Sequence, residues 1–199
     1  MSVEKITTSS AEGIAIAARA ATKARGLPPV HLWNPPFCGD LDMRIARDGT
    51  WFYLGTPIGR IELVKLFSSI LRKEEDRYYL VTPVEKVGIT VDDAPFVAVD
   101  FSVQGHGKNQ TLSFETNVDD FVEAGKNNAI RFEMDPETGE PSPYVHVRAG
   151  LEALIDRKSF YRLVELCEYE TIGGVEWFGL YSSRLFFPII LSKELYETN

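Results

Sequence analysis

Chemically capable side chains are densest in Trp33–Arg44, which reads WNPPFCGDLDMR. Asp40, Asp42 and Arg44 alternate along the start of a strand, so they share one face while Leu41 and Met43 take the other. Two carboxylates and an arginine on one face read either as a salt-bridge ladder or as a polar pocket. In a pocket the carboxylates would act as acid and base or hold a cation. Trp33 would supply an apolar wall. Cys38, in the same run, becomes a nucleophile only with a base in hydrogen-bond reach, and His31 and His146 are the candidates. No cysteine-protease signature accompanies it.

A second group lies at Tyr144, His146 and Arg148, where strand alternation places all three on one face and turns Val145 and Val147 to the other. Such a row binds a carboxylate or phosphate, or makes cross-strand pairs on a solvated face. Arg60 and Arg148 each sit between a strand and an expected helix. There the first N–H groups of a helix are unpaired and an arginine adds a bidentate donor, the makings of an anion site. Each arginine is equally able to pair with a carboxylate nearby.

Other signatures are missing. The chain has neither paired C-x2-C spacing nor an H-E-x-x-H helix, no Walker or G-x-G-x-x-G loop, and no G-x-S-x-G elbow. Asp92-Asp93 and Asp119-Asp120 read as turn residues, and Cys167 closes an apolar stripe. No metal and no cofactor is expected.

The elements that must position these residues follow from capping, periodicity and turns. Ser9 and Glu12 form a capping box for an Ala-rich helix running to about Arg25. Asp48-Gly49 marks a hairpin, of type I′ if both residues take positive φ. Leu63, Val64, Phe67, Ile70 and Leu71 form a helical stripe. Strands are expected at 78–83, 85–91, 95–103, 111–116, 175–181 and 186–191. One phrase of strand, turn, strand and helix occurs twice, at Met43–Leu71 and Ile130–Cys167, with Leu151, Leu154 and Ile155 assigned to the second helical stretch. The expected fold is α+β: two related halves, each an antiparallel sheet with a packed helix, preceded by an N-terminal helix. The expected divisions are residues 1–28, 29–103 and 104–199.

A net charge of −8 and no Lys/Arg cluster argue against nucleic acid as a partner. No apolar run approaches the roughly 20 residues of a spanning helix, so no membrane association is expected. Two cysteines without a pairing pattern fit a reducing, cytoplasmic location.

The strings PPVHLWNPPFCGDLDMRIARDGTWFYLGTPIGR, YYLVTPVEKVGITVDDAPF and YVHVRAGLEAL resemble a bacterial family known as DUF1285, over the span from Leu27 to Phe187. The resemblance implies an α+β protein with a repeated internal motif. It implies a family without an assigned activity, for which a role in signalling has been suggested, and it supplies no catalytic residues.

The functional reading is a ligand-binding or regulatory module. A small anionic molecule would lie in a cleft between the halves, held by Arg60, Arg148, His146 and Tyr144, with Trp33, Asp40, Asp42 and Arg44 alongside. One alternative is a surface for a protein partner or a homodimer. The other is a hydrolase using the Asp40, Asp42 and His146 region.

Overall fold

The computed structural model describes residues 9–22 and 26–197. The chain divides into two compact units, Met1–Asp93 and Ala94–Asn199.

In the first unit, Ser10 caps α1 (Ala11–Ala21) by accepting a hydrogen bond from the Gly13 N–H at 3.2 Å. The cap falls one residue later than the Ser9 box predicts, because the Ser9 hydroxyl instead donates to Glu85 at 2.7 Å. The expected helix end near Arg25 lies outside the described residues. Ile14, Ala15 and Ala18 bury one face of α1.

Six strands follow: β1 (Phe37–Ile45), β2 (Trp51–Tyr53), β3 (Thr56–Pro57), β4 (Leu71–Glu74), β5 (Arg77–Val81) and β6 (Lys86–Val91). Helix α2 (Ile61–Ser69) connects β3 to β4. The sheet order is β3-β2-β1-β6-β5-β4, with β1 parallel to β6 and the other neighbours antiparallel. The β1–β2 hairpin forms at Asp48-Gly49, but only Gly49 has positive φ (+83°). Ala46 and Thr50 close a three-residue loop, with Ala46 N–H donating to the Thr50 carbonyl at 2.9 Å, so the turn is not type I′.

Met43, Ile45, Trp51, Leu71, Leu80 and Val87 are buried on one face of this sheet. The α2 stripe closes it: Phe67 is fully buried and stacks on Trp51 at 6.1 Å between ring centroids. The other face carries Asp40, Arg44, Arg72, Arg77, Tyr79, Lys86 and Gly88 by register. Val30 and Trp33 pack there on Tyr79 and Val81. Arg72 holds that segment down by donating to the Trp33 carbonyl at 2.7 Å and the Val30 carbonyl at 3.3 Å.

Arg72 also pairs with Glu74, which accepts from Lys86 Nζ at 2.9 Å. The Lys86 hydrogen bond first, and Arg72 with it, hold the Glu74 carboxyl below the usual carboxylate range, against the opposing pull of burial. A carboxylate whose pKa is lower folded than unfolded stabilises the fold above the unfolded value of about 4.3, and that contribution is lost as pH falls through the folded value. Glu74→Gln should therefore lower stability by about 1 kcal/mol at pH 7. The gap between the urea midpoints of the two proteins should narrow as pH falls below the unfolded carboxyl value and through the lowered folded one. A constant gap from pH 7 to pH 3 would remove the ionic origin.

In the second unit the strands are β7 (Phe96–Gln104), β8 (Thr111–Thr116), β9 (Phe121–Glu123), β10 (Ile130–Met134), β11 (Pro141–Arg148) and β12 (Leu151–Ile155). Their sheet runs β10-β11-β12-β7-β8-β9, with β12 parallel to β7. Strand for strand this is the order of the first unit: two three-stranded meanders whose first and last strands meet in parallel at the centre. The closure repeats as well. The N–H after the sixth strand donates to the first strand, Asp92 to the Ile45 carbonyl at 2.9 Å and Asp156 to the Ala98 carbonyl at 3.0 Å. Helix α3 (Arg157–Val164), capped by Asp156 at 2.7 Å from the Ser159 N–H, follows β12. A smaller sheet, β13-β14-β15, is built from Glu168–Ile172, Val175–Ser182 and Leu185–Leu191.

The fold is α+β, two similar halves each with a sheet and a helix, and α1 ahead of them. The phase of the repeat differs from the one expected. Leu151–Ile155 is a strand, not the start of a helix, because Ala149 and Gly150 both take positive φ (46° and 76°) and turn the chain straight back along β11. Leu151, Ala153 and Ile155 are buried and Glu152 and Leu154 are half-buried, the period of a strand.

Candidate functional site

Of the eight side chains singled out from sequence, Trp33, Asp40, Asp42, Arg44 and Arg60 belong to the first unit, and Tyr144, His146 and Arg148 to the second. Arg60 is the exposed N-cap residue of α2, where its carbonyl accepts from the Leu63 and Val64 N–H groups. Asp42 is exposed, and its carbonyl receives the Leu54 N–H at 2.9 Å. Arg44 packs over Phe52 at 4.7 Å and pairs with Asp92 at 2.5 Å. The expected ladder of Asp40, Asp42 and Arg44 with one another gives way to pairs that reach other strands and loops.

In the second unit, Tyr144 is buried beneath the Arg131 guanidinium, 4.1 Å from the ring centroid. Arg131 in turn grips Glu152 through two hydrogen bonds of 2.8 Å. Both ring nitrogens of His146 are engaged: Nδ1 with the Asn127 carbonyl at 2.9 Å, and Nε2 with the Gly150 N–H at 3.1 Å. His146 thus pins the β11–β12 turn. Arg148 does not continue the Tyr144–His146 row, because the pairing with β12 slips between His146 and Arg148. It lies 4.8 Å over the Phe96 ring and pairs with Asp120. Since β12 follows it, Arg148 stands at no helix N-terminus.

Neither cysteine is set up as a nucleophile by what surrounds it. Cys38 is exposed and contacts the Pro36 carbonyl at 3.5 Å, while burial pushes the Cys167 thiol up to about 12.

The most elaborately positioned of these residues is Asp40. Along β1 and β6 the partners are Phe37 with Lys86, Asp40 with Gly88, and Arg44 with Thr90. Three-residue and four-residue steps on β1 thus each oppose a two-residue step on β6. The strand is irregular on both sides of Asp40, and Gly39 just before it takes φ +94°. Irregularities of this kind bend a strand and re-aim a side chain. Opposite Asp40 stands Gly88, buried in the middle of β6. Its missing Cβ leaves the space that the carboxylate occupies: a Cβ at 88 would lie 2.0 Å from Asp40 Oδ1. Asp40 crosses that gap to accept from Arg77 Nη2, on β5, at 2.7 Å.

Arg77 is oriented from other directions too, with Phe37 at 5.8 Å and Tyr79 at 5.3 Å from its guanidinium carbon. The two rings meet edge to face at 6.1 Å. Beside the ion pair is a depression of about 310 Å³ whose polar lining comes from Asp40, Asp76, Arg77 and Thr90. Leu41, Tyr78, Gly88, Ile89 and Val91 complete the lining. Sequence reasoning reached Asp40 and missed Arg77, Gly88 and Thr90. The signal available was a glycine inside the strand VGITV, which marks a bulge or a close approach.

The paired six-stranded sheets have counterparts among known proteins. Residues 28–94 match the model "Domain of unknown function (DUF1285), N-terminal domain", and residues 95–189 match "Protein of unknown function (DUF1285), C-terminal domain". The chain belongs to the DUF1285 family. It is similar to a crystallised DUF1285 family protein from Silicibacter pomeroyi DSS-3, at 66% identity and a TM-score of 0.83, covering 92% of this chain and 98% of that one. A second, from Shewanella baltica OS155, is 33% identical with a TM-score of 0.51, covering 63% of this chain and 91% of that one. No match was found among curated proteins. No helix among the described residues is long and apolar enough to cross a membrane.

Proposed function

We propose that the protein is a ligand-binding, regulatory module, and that Arg77 receives an anionic group of a small molecule in the depression of the first unit. The observation that carries this reading is the seat built for the Asp40–Arg77 pair. The two side chains are 67% and 56% exposed, and an exposed pair contributes only about 0–1 kcal/mol to stability. A glycine inside a strand costs about 0.5–1 kcal/mol relative to alanine, and strand irregularities give up ladder hydrogen bonds. Folding alone gives no reason for this arrangement. Recognition does, because an oriented guanidinium presents paired donors to a carboxylate or phosphate. No histidine lines the depression and its one arginine holds one of its carboxylates, which favours binding over turnover.

The test is a thermal-shift series with small carboxylates, amino acids and inorganic phosphate on the wild type and on Arg77→Ala. A ligand present at a hundred times its Kd adds about 2.7 kcal/mol of stability. At least one compound should stabilise the wild type, with affinity about ten- to a hundredfold weaker in the variant. Equal stabilisation of both proteins, or none of either, would overturn the site.

A further inference from the structure

The charges around the depression do not suit a simple anion. Among the residues lining it, Arg77 is the one cation, whereas Asp40 and Asp76 bring two carboxylates. Arg77 is already paired with Asp40. An incoming anion that took over Arg77 would leave Asp40 unpaired, and three negative groups would share a space of about 310 Å³. Like charges at such range oppose one another. A simple cation has the converse difficulty, because Arg77 stands where it would enter.

A ligand carrying both charges removes the conflict. Its carboxylate takes the guanidinium edge that Asp40 now holds, and its ammonium pairs with the released Asp40 and with Asp76. Arg77 and Asp40 each exchange one partner for another, so neither is left without a counter-charge. Thr90 adds a hydroxyl able to donate or accept. The volume is at the small end of the ~300–1,000 Å³ range of ligand sites, which suits an amino acid.

Resting on the assignment of Arg77 as the anion receptor, we propose that the ligand is a free α-amino acid. Asp40 is then a built-in stand-in for the ligand's carboxylate, holding Arg77 in position until the amino acid arrives.

The experiment is calorimetric titration of the full chain at pH 7 with glycine, alanine, serine, threonine and glutamine. Each is compared with its N-acetyl derivative, which lacks the ammonium, and its amide, which lacks the carboxylate. At least one amino acid should bind, and either blocked form should bind at least tenfold more weakly. Asp76→Asn, in the exposed β4–β5 turn, should weaken the amino acid but not its N-acetyl form, with an unchanged melting temperature confirming the fold. N-acetyl forms that bind as tightly as their parents, and lose affinity in Arg77→Ala, would overturn the zwitterion while sustaining the anion site. If amino acids, blocked forms and simple carboxylates all fail to bind, both proposals fall.

Discussion

Alanine at position 88 should weaken ligand binding about a hundredfold while leaving the protein about as stable as before. The new Cβ would stand 2.0 Å from Asp40 Oδ1 and 3.1 Å from Arg77 Nη2. Both atoms are at the far ends of side chains, and the backbone at 88 has no positive φ, so the side chains swing aside and the strand stays. Alanine in a strand gains about 0.5–1 kcal/mol over glycine, and losing an exposed ion pair costs about 0–1 kcal/mol. The two nearly cancel, so urea midpoints should agree to within about 1 kcal/mol. Binding has no such compensation: the methyl occupies the gap, and Arg77 loses the carboxylate that orients it. Affinity for whichever compound the wild type binds should fall about a hundredfold. A Gly88→Ala protein that binds like the wild type would mean the gap serves packing alone.

Which parts of this were readable in the sequence follows from how local each signal is. Hairpins closed by neighbouring residues were visible: Asp48-Gly49 joins β1 to β2, and the alternation in 111–116 matches β8 (Thr111–Thr116). The α2 stripe was visible because Val64 and Phe67 lie one turn apart and both are buried. LEALI was misread because Leu151, Leu154 and Ile155 fit a helical period as well as Leu151, Ala153 and Ile155 fit a strand, and its composition favours helix. What decides is pairing with β7, more than fifty residues earlier in the chain, and a single sequence does not print that. The repeat was glimpsed for the same reason it was mis-phased. Strand–turn–strand units are local, whereas the parallel meeting of first and sixth strands is not.

The candidate site divides along the same line. Asp40 announced itself through alternation with Asp42 and Arg44. Its partner Arg77 lies 37 residues away on a strand not adjacent to β1, and only the sheet order brings the two together across Gly88. The Tyr144, His146 and Arg148 row assumed unbroken alternation. The register slip after His146 sends Arg148 to Asp120 and Phe96 instead. Irregularities break the period from which faces are deduced, and here they occur at the residues of most chemical interest.

Phe67→Ala should give the opposite result to Gly88→Ala: a large loss of stability with ligand affinity retained. Phe67 is fully buried and stacks on Trp51, which belongs to β2 and is itself buried. Removing the ring takes the central contact from between α2 and the sheet, and truncations of this size cost about 3–5 kcal/mol. The depression involves the other face of β1, and Asp40 is set there by its pairing with Gly88 on β6. Those backbone partners do not pass through Phe67. The folded protein, kept at low temperature, should therefore bind as the wild type does, although its urea midpoint drops. A loss below about 1 kcal/mol would place α2 outside the cooperative core of the unit. Affinity that falls in step with stability would show that the inner face sets the geometry at Asp40. Affinity that holds would show that strand register alone positions the carboxylate, so that the double irregularity of β1 is the feature on which recognition depends.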